Sequence, residues 1–314
     1  MNIFINPKDQ RPRAGWRLLL QFIIMFFFAG FATLGFQALW QTSLSFAFVL
    51  PQFIGVVGSI WLAAWLLDGR SLTNYGLQFN QQWARDFGAG ALIAGIAMTS
   101  IFGIEWLMGW VNITQFGWNV PSDVPFAMAG ISSLLAMLMV GFYEELLSRG
   151  YQVLNLAEGL RFPQIGERGA VVIAVVATSS LFGFMHFYNP NATPVAVFNI
   201  ILAGIVLAVP YILTGSLALS VGLHFSWNFV QGGIFGFPVS GMKFETSVIQ
   251  IQQMGPELWT GEAFGPEAGL VGIFGMAIMV GCSLVYIKMM GYELAISILF
   301  REEKSTVKTD EQGL

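Results

Sequence analysis

The chain has 314 residues, of which 55% are hydrophobic and only 10% charged, with a formal net charge of −4 at pH 7. Soluble domains carry about 25% charged residues, so this composition excludes an ordinary soluble protein and indicates a membrane protein. The small net charge gives no reason to expect a nucleic-acid partner. Cys282 is the single cysteine, which excludes a disulfide framework and a thiolate metal cluster.

Apolar stretches long enough to span a bilayer recur along the chain and predict an all-α, polytopic membrane protein of about eight transmembrane helices. The first stretch is too long for the apolar region of a signal peptide, so we expect an uncleaved helix. The predicted helices cover about 18–40, 46–67, 87–111, 126–156, 170–188, 194–213, 217–235 and 269–290. The chain thus divides into an N-terminal segment (1–17), a membrane-embedded helical domain (18–290) and a charged tail (291–314).

The basic residues predict the orientation, because lysine and arginine collect in the cytoplasmic segments of membrane proteins. Eight spans with the N-terminus inside place thirteen of the fourteen basic residues on or towards the cytoplasmic side. Lys243 alone falls outside. We therefore expect cytoplasmic N- and C-termini and a multi-pass protein of the cell's inner (plasma) membrane.

A charged cluster interrupts the apolar run from about Phe126 to Leu156. Glu144, Glu145 and Arg149 lie in this run, where each unpaired charge would cost about 2.5 to 3.5 kcal/mol in lipid. Ionisable residues at membrane depth usually face the protein interior and belong to a functional site. We therefore interpret the cluster as part of such a site.

Two further polar pairs lie in predicted spans, and in all three the paired residues are four positions apart, so each pair shares one helix face. The pairs are Glu145 with Arg149, Phe182 with His186, and His224 with Asn228. Each polar residue could simply hydrogen-bond to a neighbouring helix. That interpretation would have to hold three times and would include both histidines of the protein.

Hydrolysis is the chemistry that these residue types could perform together. If Glu145 pairs with Arg149, Glu144 remains free to act as a general base on water. Two histidines and a carboxylate could also hold a divalent metal with its water, although no HExxH sequence occurs. Alternatively, His224 and Asn228 could stabilise an oxyanion. The residues alone leave these roles open.

His186 and His224 must lie at the same depth to act in one site. With a rise of about 1.5 Å per residue, the helix limits given above would place them at different depths. Equal depth requires that the fifth helix begin outside the membrane, around Arg168, and that the fourth continue to about Ala157. We predict both extensions.

Together the motifs Glu144-Glu145-x-x-x-Arg149, Phe182-x-x-x-His186 and His224-x-x-x-Asn228 resemble those of the CAAX prenyl endopeptidase and bacteriocin-processing family of intramembrane proteases (CPBP, also called ABI). Supporting similarity runs from about residue 68 to residue 242. The resemblance implies an all-helical fold of eight spans with a protease core at about 126–236. It also implies a peptidase site that opens to the cytoplasmic half of the bilayer.

The resemblance further implies that Glu144 activates the water, His186 helps to hold it, and His224 with Asn228 stabilises the tetrahedral intermediate. If a metal is used, His186, His224 and Glu144 are its expected ligands and zinc is the expected ion. The expected partners are the lipid bilayer and a membrane-associated peptide or protein substrate, with a lipid-modified substrate compatible with the family.

Two other functions compete with a protease. A non-catalytic member of the family could act by binding, in bacteriocin self-immunity or as a membrane scaffold, but it would have no chemical need for a carboxylate opposite two imidazoles. A proton-coupled transporter could use glutamate and histidine as a relay. Internal repeats and broken helices in two matching halves would favour a transporter, and the sequence shows neither.

Overall fold

The computed structural model describes residues 3–7, 10–39, 44–244 and 246–300. The predicted charged tail lies mostly beyond this range. Of the basic residues used for the orientation, four fall outside the described residues, namely Lys8, Arg301, Lys304 and Lys308.

The described chain is dominated by helices, which confirms the predicted all-α membrane fold. The ten α-helices are α1 (Ala14–Leu39), α2 (Ser45–Ala63), α3 (Gln81–Leu107), α4 (Phe126–Glu145), α5 (Leu154–Gly159), α6 (Gly166–Met185), α7 (Pro194–Thr214), α8 (Ala218–Asn228), α9 (Glu257–Thr260) and α10 (Leu270–Met289). Three π-helical segments extend them: Ala64–Asp68 after α2, Leu146–Val153 between α4 and α5, and Phe229–Ile234 after α8.

Seven of the helical segments in the described residues are long and apolar enough to cross a membrane. The predicted span at 217–235 is α8 with its π-helical extension, which have 11 and 6 residues and are shorter than the others. Ten of the 11 residues of α8 are buried, and the backbone N–H of Leu217 donates to the carbonyl of Gly76 at 3.0 Å. This helix therefore starts beneath a covering segment and is enclosed by protein. The count of eight spans stays a prediction.

A small sheet joins two of the connections between helices. Strand β1 (Val111–Phe116) follows α3 and pairs antiparallel with β2 (Ile249–Gln253), which follows α8. The register sets Val111 opposite Gln253 and Phe116 opposite Ile249. Segments that pair in this way lie on the same face of the molecule, as the eight-span order requires if α8 crosses the membrane.

Ion pairs hold the opposite face together. Arg17 of α1 donates to Asp68 at 2.7 Å, with side chains that are 4% and 0% exposed. Arg17 and Arg70 both contact Glu158 of α5, and Tyr75 donates to Asp68. The N-terminal helix, the link at residues 69–80 and the end of α5 are thereby joined through charges that are largely removed from solvent.

The helix limits that the two predicted extensions require are observed. Helix α6 begins at Gly166, ahead of Arg168, and the helical chain that starts with α4 runs through to Gly159. The fourth predicted span is consequently a continuous helical segment of 34 residues.

Glycines allow α8 to lie very close to α3 and α4. A Cβ atom at Gly222 of α8 would come within 2.1 Å of the carbonyl oxygen of Phe87, and one at Gly141 of α4 within 2.8 Å of the backbone nitrogen of Phe225. Small residues permit such backbone approach in membrane proteins. The contact at Gly141 lies one turn from Glu144 and Glu145, so it brings their side chains next to His224.

Replacing Arg17 tests the importance of the buried ion pairs. Arg17→Ala leaves the Asp68 carboxylate buried without its guanidinium partner, a kind of change that costs about 3 to 5 kcal/mol. We expect a lower midpoint of thermal unfolding in detergent and less monodisperse protein. Arg85→Ala is the matched control, because Arg85 is exposed, and equal stability of the two variants would contradict the assignment.

Candidate active site

Glu145 is the centre of the polar cluster. Its Oε1 accepts from Nη1 of Arg149 and lies hydrogen-bonded to Nδ1 of His224, each at 2.7 Å. The Glu145 side chain is 0% exposed and that of Arg149 is 2% exposed. The expected pair between Glu145 and Arg149 is therefore present, and a histidine from α8 joins it.

Arg149 makes two further contacts that fix its position. Its Nη2 donates to the carbonyl of Gly204 in α7 at 3.0 Å, and its guanidinium carbon lies 4.8 Å from the centroid of the Phe182 ring of α6. A cation above an aromatic face is attracted by the ring quadrupole. The buried charge of Arg149 is thus satisfied by groups from three helices, α4, α6 and α7.

Glu144 has a different environment from its neighbour. Its side chain is 20% exposed and its Oε2 lies 3.6 Å from Nε2 of His224, and it lines a cavity of about 640 Å³. Because a carboxylate accepts hydrogen bonds, Glu145 favours the tautomer of His224 that carries a proton on Nδ1. The other ring nitrogen, Nε2, therefore faces Glu144 and the cavity.

His186 and Asn228 line the same cavity as Glu144 and His224. His186 lies at the end of α6, where its Nδ1 is 2.8 Å from the carbonyl of Phe182, so its Nε2 is free to face a ligand. The Phe182 ring packs between the two histidines, 4.7 Å from the ring of His186 and 6.2 Å from that of His224. Four of the six predicted site residues thus line one cavity, and Glu145 and Arg149 lie buried behind it.

The rest of the cavity wall is mainly apolar. Helices α2, α4, α6, α7 and α10 contribute to it, together with the segment that follows α8. Its apolar lining includes Phe48, Val49, Met137, Val140, Met185, Ile200, Ala203, Leu207, Val239, Met242, Met276 and Met279. Methionine side chains are flexible and adapt to irregular shapes, so this wall suits an apolar ligand of variable shape.

Glu267 is a cavity residue that sequence reasoning did not single out. It is 3% exposed, accepts from the backbone N–H of Ser240 and from its hydroxyl, the latter at 2.7 Å, and accepts from Nε1 of Trp227 at 3.3 Å. Burial raises the pKa of this carboxyl above its ordinary value. In the sequence Glu267 is one of several acidic residues in a polar connection, so no pattern distinguished it.

The side chains do not fit a metal centre as they are arranged. Glu144 approaches His224, but across the described residues no group of three His, Cys, Asp or Glu side chains comes close enough to hold a metal ion. His224 and His186 each use Nδ1 for a hydrogen bond, to Glu145 and to a backbone carbonyl, and this leaves Nε2 of both rings for a ligand. As arranged, however, the described side chains do not assemble the expected three-ligand site of His186, His224 and Glu144.

Two expectations from the sequence exclude each other once the position of the cavity is known. Its lining comes from the first two turns of α2, the last turn of α6 and the connections near Asn189 and Ser240. These lie on the face of the β1–β2 sheet, opposite the Arg17–Asp68 ion pair. A cytoplasmic opening and a cytoplasmic location of the basic segments therefore cannot both be correct.

The comparisons support the family resemblance. Residues 126–230 match the model of the Rce1-like family, described as type II CAAX prenyl endopeptidase Rce1-like. This match covers about a third of the chain and contains all six motif residues from Glu144 to Asn228.

One curated relative is a UPF0761 membrane protein of Azoarcus sp. (strain BH72), which is 27% identical over 176 residues. The aligned part is 54% of this chain and 41% of that protein, so the chain spans about two fifths of the length of the curated relative it matches. No solved structure matches the chain significantly.

The buried pair gives a prediction about stability. Arg149→Ala removes the guanidinium from Glu145, which leaves a buried charge whose cost is about 3 to 5 kcal/mol. We expect a large loss of folded protein, measured by size-exclusion chromatography in detergent. Because Arg149→Ala with Glu145→Gln removes both charges, this double variant should regain part of the loss, and a strictly additive loss would contradict the pairing.

Proposed function

We propose that this chain, whose residues 126–230 form an Rce1-like domain, is an intramembrane endopeptidase of the CPBP type. The observation that carries the proposal is the single cavity in which a partly exposed carboxylate, Glu144, faces the ring of His224 beside His186 and Asn228. A carboxylate base, two imidazoles and an amide at one apolar pocket are the parts that hydrolysis of a peptide bond requires.

In the proposed mechanism, water binds in the cavity between Glu144 and the histidines. Glu144 removes a proton from the water, and the resulting hydroxide forms a bond to the carbonyl carbon of the substrate. The carbonyl oxygen becomes an oxyanion and accepts hydrogen bonds from His224 Nε2–H and from the Asn228 amide. The C–N bond then breaks, and Glu144 passes its proton to the leaving amine.

Glu145 and Arg149 act as positioning residues in this proposal, since they lie behind the cavity and reach the substrate only through His224. Glu145 orients the imidazole by accepting from Nδ1 at 2.7 Å, and in this mechanism the ring also carries a proton on Nε2, which it donates in a hydrogen bond to the oxyanion. Arg149 balances the charge of Glu145 and ties it to Gly204.

The substrate is proposed to be a membrane-associated peptide or protein segment. The apolar wall of the cavity and the surrounding bilayer favour apolar side chains next to the cleaved bond. The alternative of a non-catalytic binding role uses the same cavity but gives no task to Glu144. Cleavage therefore requires Glu144, whereas the binding role does not.

Replacing Glu144 tests the proposal. Glu144→Gln keeps the shape of the side chain but removes the base, so we expect loss of cleavage by at least about a hundredfold with an unchanged unfolding midpoint. The measurement is a comparison of new protein N-termini in membranes that contain equal amounts of wild type or variant. Glu293→Gln, which removes an exposed carboxylate outside the cavity, serves as control. An identical set of N-termini in wild type and Glu144→Gln would favour the binding role.

The absence of a three-ligand cluster in the described residues gives a second prediction. We expect purified, active protein to contain much less than one equivalent of zinc by elemental analysis, and cleavage to continue after dialysis against a chelator. Stoichiometric zinc that is lost in both His186→Ala and His224→Ala would contradict the assignment of water activation to Glu144 and the histidines alone.

A further inference from the structure

The two faces of the molecule differ sharply in their number of basic residues. The connections at 108–125, 189–193 and 236–268 contain one basic residue, Lys243, and five acidic ones, which are Asp123, Glu245, Glu257, Glu262 and Glu267. The links at 69–80 and 160–165 and the adjoining helix ends contain Arg70, Arg85, Arg161 and Arg168. Basic residues in short connections near span ends determine orientation, so the second face is assigned to the cytoplasm.

Contacts in the structure show that the acidic connections form one face. Strand β1 in the connection after α3 pairs with β2 in the connection after α8. Asn189 donates to the carbonyl of Ser240 at 3.1 Å, which joins the connection after α6 to the same segment. The assignment therefore does not depend on counting spans, because contacts link all three acidic connections.

The site is closed towards the basic face. All eight residues of the π-helical segment Leu146–Val153, which continues from Glu145 in that direction, are buried. Gly150 packs beneath the link at 69–80, where a Cβ atom would lie 3.1 Å from Leu217 and 3.3 Å from the carbonyl oxygen of Tyr75. The side chains of Tyr75 and Tyr211 are 0% exposed. Packed protein thus separates Glu144 from the cytoplasmic face.

The cavity is instead bordered by the acidic face. The segment after α8 contributes Ser240, Met242 and Lys243 to its wall, and Glu267 anchors this segment through Ser240. Lys243 is exposed and marks the mouth. A ligand that enters the cavity must pass this segment or come from the adjoining half of the bilayer.

We infer that the cavity opens on the extracytoplasmic side of the membrane, so that the substrates are apolar, membrane-proximal segments of extracytoplasmic peptides or proteins. The substrate class rests on the proposed function. The side of the membrane on which the cavity opens rests only on the contacts between the connections and on the positions of the basic residues. Cytoplasmic lipid-modified C-termini lie on the wrong side of the membrane for such a site. The inference therefore excludes such C-termini from the substrates that the family resemblance allowed.

Cysteine labelling tests the side of the opening without any assay of activity. In a Cys282→Ser background, Lys243→Cys places a thiol at the mouth, and Gln164→Cys places one on an exposed position of the connection between α5 and α6. With a membrane-impermeant maleimide, we expect the thiol at position 243 to react in right-side-out vesicles and the thiol at 164 only in inverted vesicles. The reverse pattern would overturn the inference.

The location of the cleavage sites provides a second test of the inference. New N-termini that disappear in Glu144→Gln should map to extracytoplasmic flanks of membrane-bound proteins or to exported peptides. Termini that disappear but map to cytoplasmic segments would overturn the inference while the proposed protease stands. If no termini disappear while position 243 is labelled from outside, the proposed protease fails and the outward opening is retained.

Discussion

The hydrogen bonds to one oxygen atom, Oε1 of Glu145, hold the candidate site together. Arg149 and His224 both reach this atom at 2.7 Å, and Arg149 extends the contact to Gly204 and Phe182. A carboxylate that is removed from solvent requires such partners, since an unpaired charge in the membrane interior is costly. The energetic need of Glu145 therefore fixes α4, α6, α7 and α8 relative to one another, and Glu144 acquires its position as a consequence.

The adjoining carboxylates separate two tasks that a single residue could not combine. Glu145 is fully buried and charge-balanced, whereas Glu144 is partly exposed to the cavity and lies 3.6 Å from Nε2 of His224. Adjacent positions on a helix point about 100° apart, which is enough to place one side chain behind the site and the other inside it. Glu145 can therefore hold the buried ion pair while Glu144 faces the cavity.

The sequence predicts much of this arrangement because its main determinants are local. Apolar length gives the spans, and the four-residue spacing gives the pairing of Glu145 with Arg149. Other features depend on contacts between distant segments. Gly204 and Glu267 enter the site through backbone approach and a folded connection, for which neither residue carries a pattern. The enclosed start of α8 depends on its contact with the 69–80 link, which hydropathy does not report.

The division of labour between Glu144 and Glu145 also constrains how the protein can change during evolution. If the proposed hydrolysis is lost in a descendant, Glu144 and His186 can each be replaced alone, because the buried ion pair that joins the helices does not include them. Glu145 and Arg149 can change only together, because each leaves the other as a buried unpaired charge. Inactive descendants of this fold should therefore lose the base first and keep the ion pair long after catalysis has disappeared.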